Sequence, residues 1–313
     1  MTQKIIIDTD PGQDDAVAIL LALASPKELD VLGIVAVAGN VTLEQNARNA
    51  LKVIELAGRS DIPVYAGSSR PIRRHLVTAE HVHGETGLDG PNLPMPTTRL
   101  QAKHGVDYIV ETLLAHEPGT ITLCTLGPLT NIALAMIKAP EIAPRIQQIV
   151  MMGGGYFEGG NITPVAEFNI YVDPDAADVV LRSGVPITMA PLDVTHMILS
   201  TPERLAAIKA MGNKAGAAVH AMLSFSERFD LGKYGSRGAP LHDPCVIAYL
   251  LKPELFQGRH INVTIECASE LTMGMTVADY WGVTGRSKNV TYLRSGDADG
   301  FYKLLTERLA VLP

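Results

Sequence analysis

Four aspartates, Asp8, Asp10, Asp14 and Asp15, fall within eight residues near the start of the chain. Carboxylates packed that closely raise one another's pKa and repel unless a cation neutralises them. An all-oxygen ligand set suits a hard ion such as Ca²⁺ or Mg²⁺. The neighbouring residues say where such a cluster would sit. Ile5-Ile6-Ile7 has the continuous apolar character of a strand buried on both faces, Pro11-Gly12 marks a sharp turn, and 16–24 has the composition of a buried helix. In an open α/β sheet, ligands bind outside the carboxyl ends of strands, where this cluster falls. Asp14 or Asp15 taken singly could be an N-cap or a first-turn acid. Capping does not account for four.

Further residues able to do chemistry recur at the ends of apolar runs. Asn40 follows the strand expected over 30–38, and Leu126-Gly127-Pro128-Leu129-Thr130-Asn131 follows the β-branched run 120–125. The strand over 146–152 ends at Met152 in three glycines, where close backbone approach is sterically open. His83 lies in about forty Pro-, Gly-, His- and Arg-rich residues with little periodicity, a loop length that usually marks function or disorder. Glu167 and Asn169 are two apart, so an extended backbone would put both on one face with Phe168 opposite, able to fork around vicinal hydroxyls. Phe225, Phe229 and Tyr234 gather near the end of a helical stretch.

Asp8-Thr9-Asp10-Pro11-Gly12-Gln13-Asp14-Asp15-Ala16 resembles the D-x-D-P-G-x-D-D-A signature of the inosine-uridine type nucleoside hydrolases. Further segments resemble that family's motifs in the same order. They are His81 to Gly90 (a mobile flap), Leu126 to Asn131 (G-P-L-T-N), Ala166-Glu167-Phe168-Asn169 (A-E-F-N) and His242-Asp243-Pro244 (H-D-P/A). The resemblance implies Ca²⁺-dependent hydrolysis of the N-glycosidic bond of ribonucleosides, pyrimidine nucleosides and/or inosine, to ribose and free base. It implies that Asp10, Asp15, Asp243 and the main-chain carbonyl of Leu126 hold the ion. Asp10 would take a proton from water and His242 would face the departing base. Asp14, Asn40, His83, Met152, Asn161, Glu167, Phe168, Asn169 and Tyr234 would contact substrate. The single Trp, Trp281, lies outside these motifs, which favours His242 and Tyr234 over a tryptophan sandwich for the base. A homo-oligomer, tetramer or dimer, is also implied.

Two other readings fit parts of the same pattern. Asp8-Thr9-Asp10 resembles the D-x-D of haloacid-dehalogenase type phosphatases, with Asp8 as nucleophile, although Gly12 stands where that family has Thr or Val. A non-catalytic Ca²⁺-dependent nucleoside or ribose binder would use the same residues.

With 313 residues, 47% hydrophobic and 19% charged, and no linker-like stretch, the chain reads as one α/β domain over 1–313. The expected architecture is an open, mostly parallel, Rossmann-like sheet with helices on both faces and an inserted helical region near 200–235. Finishing strands are expected over 261–266 and 275–280, and Asp173-Pro174-Asp175 is expected to start a helix in a purely structural role. The net charge of −7, with no Lys/Arg tract, disfavours a nucleic-acid polymer as partner. No apolar run approaches the roughly 18 residues of a membrane span, and no secretory signal is evident, so a cytoplasmic address is expected. Cys124, Cys245 and Cys267 have no disulfide or zinc pattern and read as small buried hydrophobes.

Overall fold

The structure is a computed structural model and describes residues 2–234 and 237–313, with the side chains of 230–234 left aside. In chain order its strands are β1 (Gln3–Thr9), β2 (Leu29–Ala36), β3 (Val64–Ala66), β4 (Ile121–Thr125), β5 (Ile146–Met152), β6 (Ile187–Ala190), β7 (Leu199–Ser200), β8 (Ala239–Pro240), β9 (Phe256–Ile265), β10 (Thr276–Asp279) and β11 (Val290–Gly296). Nine of them form one sheet in the order β10-β9-β11-β6-β5-β4-β1-β2-β3. Every neighbouring pair from β3 to β11 is parallel, and β9 and β10 close that edge antiparallel.

The isoleucine run shows why β1 is central. Ile5 and Ile7 pack into the core on one face of the sheet and Ile6 into the core on the other, as the two-residue period of a strand requires. All three are fully buried. Helices 13–23, 244–251 and 298–309 cover the first face, and helices 105–115, 130–138 and 174–181 the second.

The first six strands of the parallel part run 3-2-1-4-5-6, so the direction of winding reverses between β1 and β4. The carboxyl ends of those two strands part there and leave a crevice. Asp10 follows β1 and Leu126 follows β4. The topology itself therefore brings the N-terminal acid cluster to the loop after β4.

The expected helical insertion is present as helices Pro202–Lys209 and Lys214–Tyr234. β7 and β8 pair antiparallel at its base, Leu199 opposite Pro240 and Ser200 opposite Ala239. Asp173 caps the helix Pro174–Leu181 and also accepts from Thr130 Oγ1 at 2.7 Å, the structural role expected. Of the finishing strands, β10 matches expectation, β9 begins five residues earlier than the expected 261, and β11 was not foreseen. It pairs between β6 and β9, with Val290 and Tyr292 buried in one core and Leu293 in the other. Its Thr, Arg and Ser residues mask that apolar pattern. Cys124 and Cys245 are buried and Cys267 is half-buried; all are free thiols. Among the described residues, no helix is long and apolar enough to cross a membrane.

Candidate active site

The four N-terminal aspartates do not share one environment. Asp8, still within β1, is fully buried and its Oδ2 accepts from the Asn131 amide at 2.7 Å. Burial pushes its carboxyl up to about 8 despite that hydrogen bond. Asn131 also accepts from the Ser68 N–H at 2.8 Å and donates to the Ala36 carbonyl at 3.2 Å, so it ties together the ends of β1, β2 and the segment after β3. Asp8 is thus a structural acid, fully buried within β1 and held by Asn131. A phosphatase reading that needs Asp8 as nucleophile loses its central residue.

Asp10 is buried and positioned by the chain around it. The Asn40 N–H donates to its Oδ2 at 2.8 Å, and the Asn40 amide donates to the Asp10 carbonyl at 3.0 Å and to Asp15 Oδ2 at 3.2 Å. Gly39 and Gly127 flank the carboxylate so closely that a Cβ at either would overlap one of its oxygens. The glycines are needed for close approach, since a side chain would displace the acid.

Asp15 sits in the first turn of helix 13–23, and its carboxylate accepts from the Gly12 N–H at 3.0 Å, the Asp10 N–H at 3.3 Å and Thr9 Oγ1 at 2.5 Å. It is therefore a first-turn cap as well as a member of the cluster. Asp243 precedes helix 244–251 but makes no capping bond with its side chain. Asp14, Asp15 and Asp243 each bring a carboxylate oxygen within 4.8 Å of the others. This trio differs from the expected set, which had Asp10 in place of Asp14; Asp10 is buried next to Asp15, its carboxylate turned to the Asn40 N–H, and does not itself line the cavity. The Leu126 carbonyl reaches the same cavity and accepts from the Asn169 amide at 2.7 Å.

Electrostatics favours a cation here. Burial first, then the charge of Asp15, holds Asp10 well above the ordinary carboxylate range; for Asp15 the causes are burial and then Asp14. Asp243 is raised by burial and then by Asp14, Asp15 and Asp10. No Lys or Arg occurs among the described residues lining the cavity. The donors are oxygens only, carboxylates plus one main-chain carbonyl, so the residues fit a hard divalent ion. Transition-metal softness has no counterpart here, because no Cys or His joins the trio.

Across the cavity, the A-E-F-N segment departs from the extended form expected of it. Glu167 is the N-cap of the short helix Phe168–Val172, and its carboxylate accepts from the N–H groups of Gly154 at 2.9 Å, Asn169 at 2.9 Å and Ile170 at 3.2 Å. An acid placed before a run of exposed N–H groups caps a helix more readily than it extends a strand. Glu167 and Asn169 therefore do not form a two-residue strand fork. Both still line the cavity, together with Phe168, Met152 and Asn161. The Asn169 amide additionally approaches the Met152 carbonyl at 3.4 Å, and Asn161 Oδ1 accepts from the Phe168 N–H at 2.8 Å. Burial pushes the Glu167 carboxyl up to about 7 against those three hydrogen bonds.

His83 lies in the short helix Glu80–His83 and lines the cavity. The Gln13 amide donates to the carbonyls of His83 and Asp89, both at 3.0 Å, which fixes its orientation. Its oxygen then accepts from His83 Nδ1 at 2.6 Å, leaving Nε2 as an acceptor. Asn49 ties the same segment down through Thr86 at 2.8 Å. The expected flap is thus fastened to helices 13–23 and 43–56.

His242 shares the cavity wall with Asp243, and its Nδ1 meets Thr195 Oγ1 at 2.7 Å. The side chain of Tyr234 lies outside the described residues. Trp281 is exposed beside β10, away from the cavity. Sequence reasoning missed three supporting residues: Gln13, Thr195 and Asp193. Asp193 accepts from the N–H groups of Tyr156 (3.0 Å), Phe157 (2.6 Å) and Glu158 (2.9 Å) and from the Tyr292 hydroxyl, pinning the loop between β5 and Asn161. Asp193 belongs to no motif, and its partners lie 35 to 99 residues away, so the sequence carried no signal for it.

Comparison with known proteins identifies the family. Residues 5–303 match the family model described as inosine-uridine preferring nucleoside hydrolase. An uncharacterised protein of Schizosaccharomyces pombe is 55% identical over 99% of this chain and 100% of its own length. A pyrimidine-specific ribonucleoside hydrolase, RihA of a Shewanella species, is 47% identical over 99% of this chain and 97% of its own. Among solved structures, a plant nucleoside hydrolase superposes with a TM-score of 0.93 at 33% identity, covering 99% of both chains. Because family match and structural similarity run through the strands that carry the acid cluster and through the segments that face it, this chain belongs to the inosine-uridine preferring nucleoside hydrolase family and hydrolyses the N-glycosidic bond of ribonucleosides.

Proposed function

We propose that the chain is a Ca²⁺-dependent hydrolase that prefers pyrimidine ribonucleosides and accepts inosine. The observation that carries the ion is the convergence of Asp14, Asp15 and Asp243, with Asp14, Asp243 and Leu126 lining one cavity and Asp10 buried close to Asp15. Ca²⁺ accommodates several carboxylates and a main-chain carbonyl, whereas Mg²⁺ usually keeps most of its waters. Asp10, Asp15, Asp243 and Leu126 hold the ion, with Asp14 near enough to join it or to take a ribose hydroxyl. The cation, when bound, lends Lewis acidity to the attacking water and attracts ribose hydroxyls.

Asp10 accepts the water's proton, since Asn40 and the two glycines hold it at the crevice floor. Asn40, Asn161, Glu167 and Asn169 orient the ribose, with Met152 and Phe168 packing against it and His83 offering an acceptor. Their value is positioning and preferential binding of an oxocarbenium-like sugar. His242 donates a hydrogen bond to the departing base, with Tyr234 as its partner in base recognition. Pyrimidine preference is supported by the pyrimidine specificity in the name of the 47% identical relative and by the lack of Trp among the described lining residues. A cytoplasmic homo-oligomer is part of the same reading and rests on the family resemblance.

An ultraviolet assay of uridine, cytidine, inosine and guanosine with ribose quantitation tests this. Uridine or cytidine should give the highest kcat/KM and inosine a lower one. Highest kcat/KM on a purine nucleoside would contradict the preference.

A further inference from the structure

We propose that Thr195 is a positioning residue that fixes the tautomer of His242, placing its ring proton on Nε2. The inference rests on the reading of His242 as hydrogen-bond donor to the leaving base.

Thr195 is fully buried at the end of the short helix Leu192–Thr195, which follows β6. Among the described residues its hydroxyl makes one hydrogen bond, to His242 Nδ1 at 2.7 Å. A hydroxyl carries one proton, and a buried O–H without an acceptor is costly. If Nδ1 carried the ring proton, the hydroxyl would have to accept it, and its own proton would have no partner. The arrangement that satisfies both groups has Thr195 donating to Nδ1. A neutral ring then carries its proton on Nε2, the nitrogen on the far side from Thr195. Only an Nε2 donor can share a proton with a departing base. His83 has the opposite assignment, its Nδ1 donating to Gln13, so His83 and His242 differ in which nitrogen can donate.

The backbone around the pair is held firmly enough for this to matter. The Leu241 N–H donates to the Ile198 carbonyl at 2.9 Å, joining the two segments just beyond Thr195 and just before His242. Asp193, two residues before Thr195, is fastened by three N–H groups and the Tyr292 hydroxyl. The Thr195 hydroxyl therefore stays aimed at one ring nitrogen.

The test uses the calcium-loaded protein with histidines labelled in nitrogen-15, His242 being assigned by its loss in His242→Ala. Long-range proton–nitrogen spectra should show His242 as the Nε2–H tautomer. A predominant Nδ1–H form would overturn the proposal whatever the activity. In parallel, Thr195→Val should lower kcat on uridine by roughly 10- to 100-fold, of the order seen when a partner orienting a functional histidine is lost. It should lower kcat on p-nitrophenyl riboside, whose leaving group needs no proton, by less than about 3-fold. Thr195→Ser should restore uridine turnover to within a few-fold of wild type. Equal losses on both substrates, or no rescue by serine, would contradict the tautomer role. If Thr195→Val fails to fold, the wild-type spectrum and the serine variant still decide the matter. A wild-type enzyme that cleaves no riboside would sink the functional reading, and the spectrum would then judge the tautomer independently.

Discussion

The main-chain N–H of Asn40 points at Oδ2 of Asp10 from 2.8 Å, so the acid at the end of one strand is oriented by the turn after its neighbour. Gly39 and Gly127 complete this seat by leaving no atoms where the carboxylate lies. Gly127→Ala should therefore push Asp10 out of place and lower kcat by about 10²-fold, the usual cost of misplacing a reacting group by about 1 Å. Circular dichroism and the cooperativity of melting should stay close to wild type. A Gly127→Ala enzyme with undiminished kcat would mean that the position of Asp10 is not critical.

Asp10→Asn separates ion binding from proton transfer. The amide oxygen can still ligate, and the neighbouring trio of Asp14, Asp15 and Asp243 is intact, so calcium content should hold near one equivalent. Turnover should fall by roughly 10² to 10⁴ because the amide cannot take the proton of water. Asp243→Ala, by contrast, should lose both calcium and activity. Elemental analysis and kcat measured on the same preparations check the pair.

The sugar contacts predict discrimination among ribosides. Asn161, Glu167 and Asn169 line the cavity and, in the proposed reading, hydrogen-bond the ribose hydroxyls. Replacing uridine by its 2′-deoxy or 5′-deoxy counterpart should cost about 1 to 3 kcal/mol per hydroxyl in transition-state binding. Comparable kcat/KM for all three sugars would show that these residues serve the fold alone.

Much of this was legible in the sequence because α/β topology turns short motifs into places. Ile5-Ile6-Ile7 announces a strand buried on both faces, and the acids after it must then lie at a carboxyl edge. The motifs around Leu126, Glu167 and His242 reach the same cavity because their strands and helices end at that edge. What was not legible depends on contacts between segments far apart in the chain. Glu167 is as good an N-cap as a strand acid, and only the Gly154 N–H, which its capping geometry brings close, decides between them. Asp193 and Thr195 look like turn residues until Tyr292 and His242 arrive from 99 and 47 residues away. β11 was hidden because Thr291, Arg294 and Ser295 leave only Val290, Tyr292 and Leu293 buried, too short and irregular an apolar pattern to read as a strand.

Glu167 also sets a pH dependence. Its carboxyl is raised from 4.5 to about 7 by burial, so it favours the folded state most when protonated. That contribution is full below about pH 4.5 and is lost as pH rises toward 7, a change of roughly 3 kcal/mol over the window. Glu167→Gln, which cannot ionise, should lack this component. Denaturant melts at pH 4.5 and pH 7.5 should show wild type losing more stability than the variant. Parallel losses in the two proteins would place the ionisation elsewhere.

His242→Ala should slow uridine and inosine by roughly the 10² to 10⁴ expected of lost proton assistance, and slow p-nitrophenyl riboside much less. Its calcium content should be unchanged, since Asp243 and not His242 belongs to the acid cluster. Equal slowing on every substrate would assign His242 to packing of the cavity wall.

The central claim is that hydrolysis depends on one divalent ion held by the acids after β1 together with Asp243. It is tested most directly by following uridine cleavage in protein stripped by exhaustive chelation, then titrated with CaCl₂. The account predicts that activity disappears on stripping and returns in full at one calcium per chain. Undiminished turnover by chelated protein, with no calcium found by elemental analysis, would contradict it.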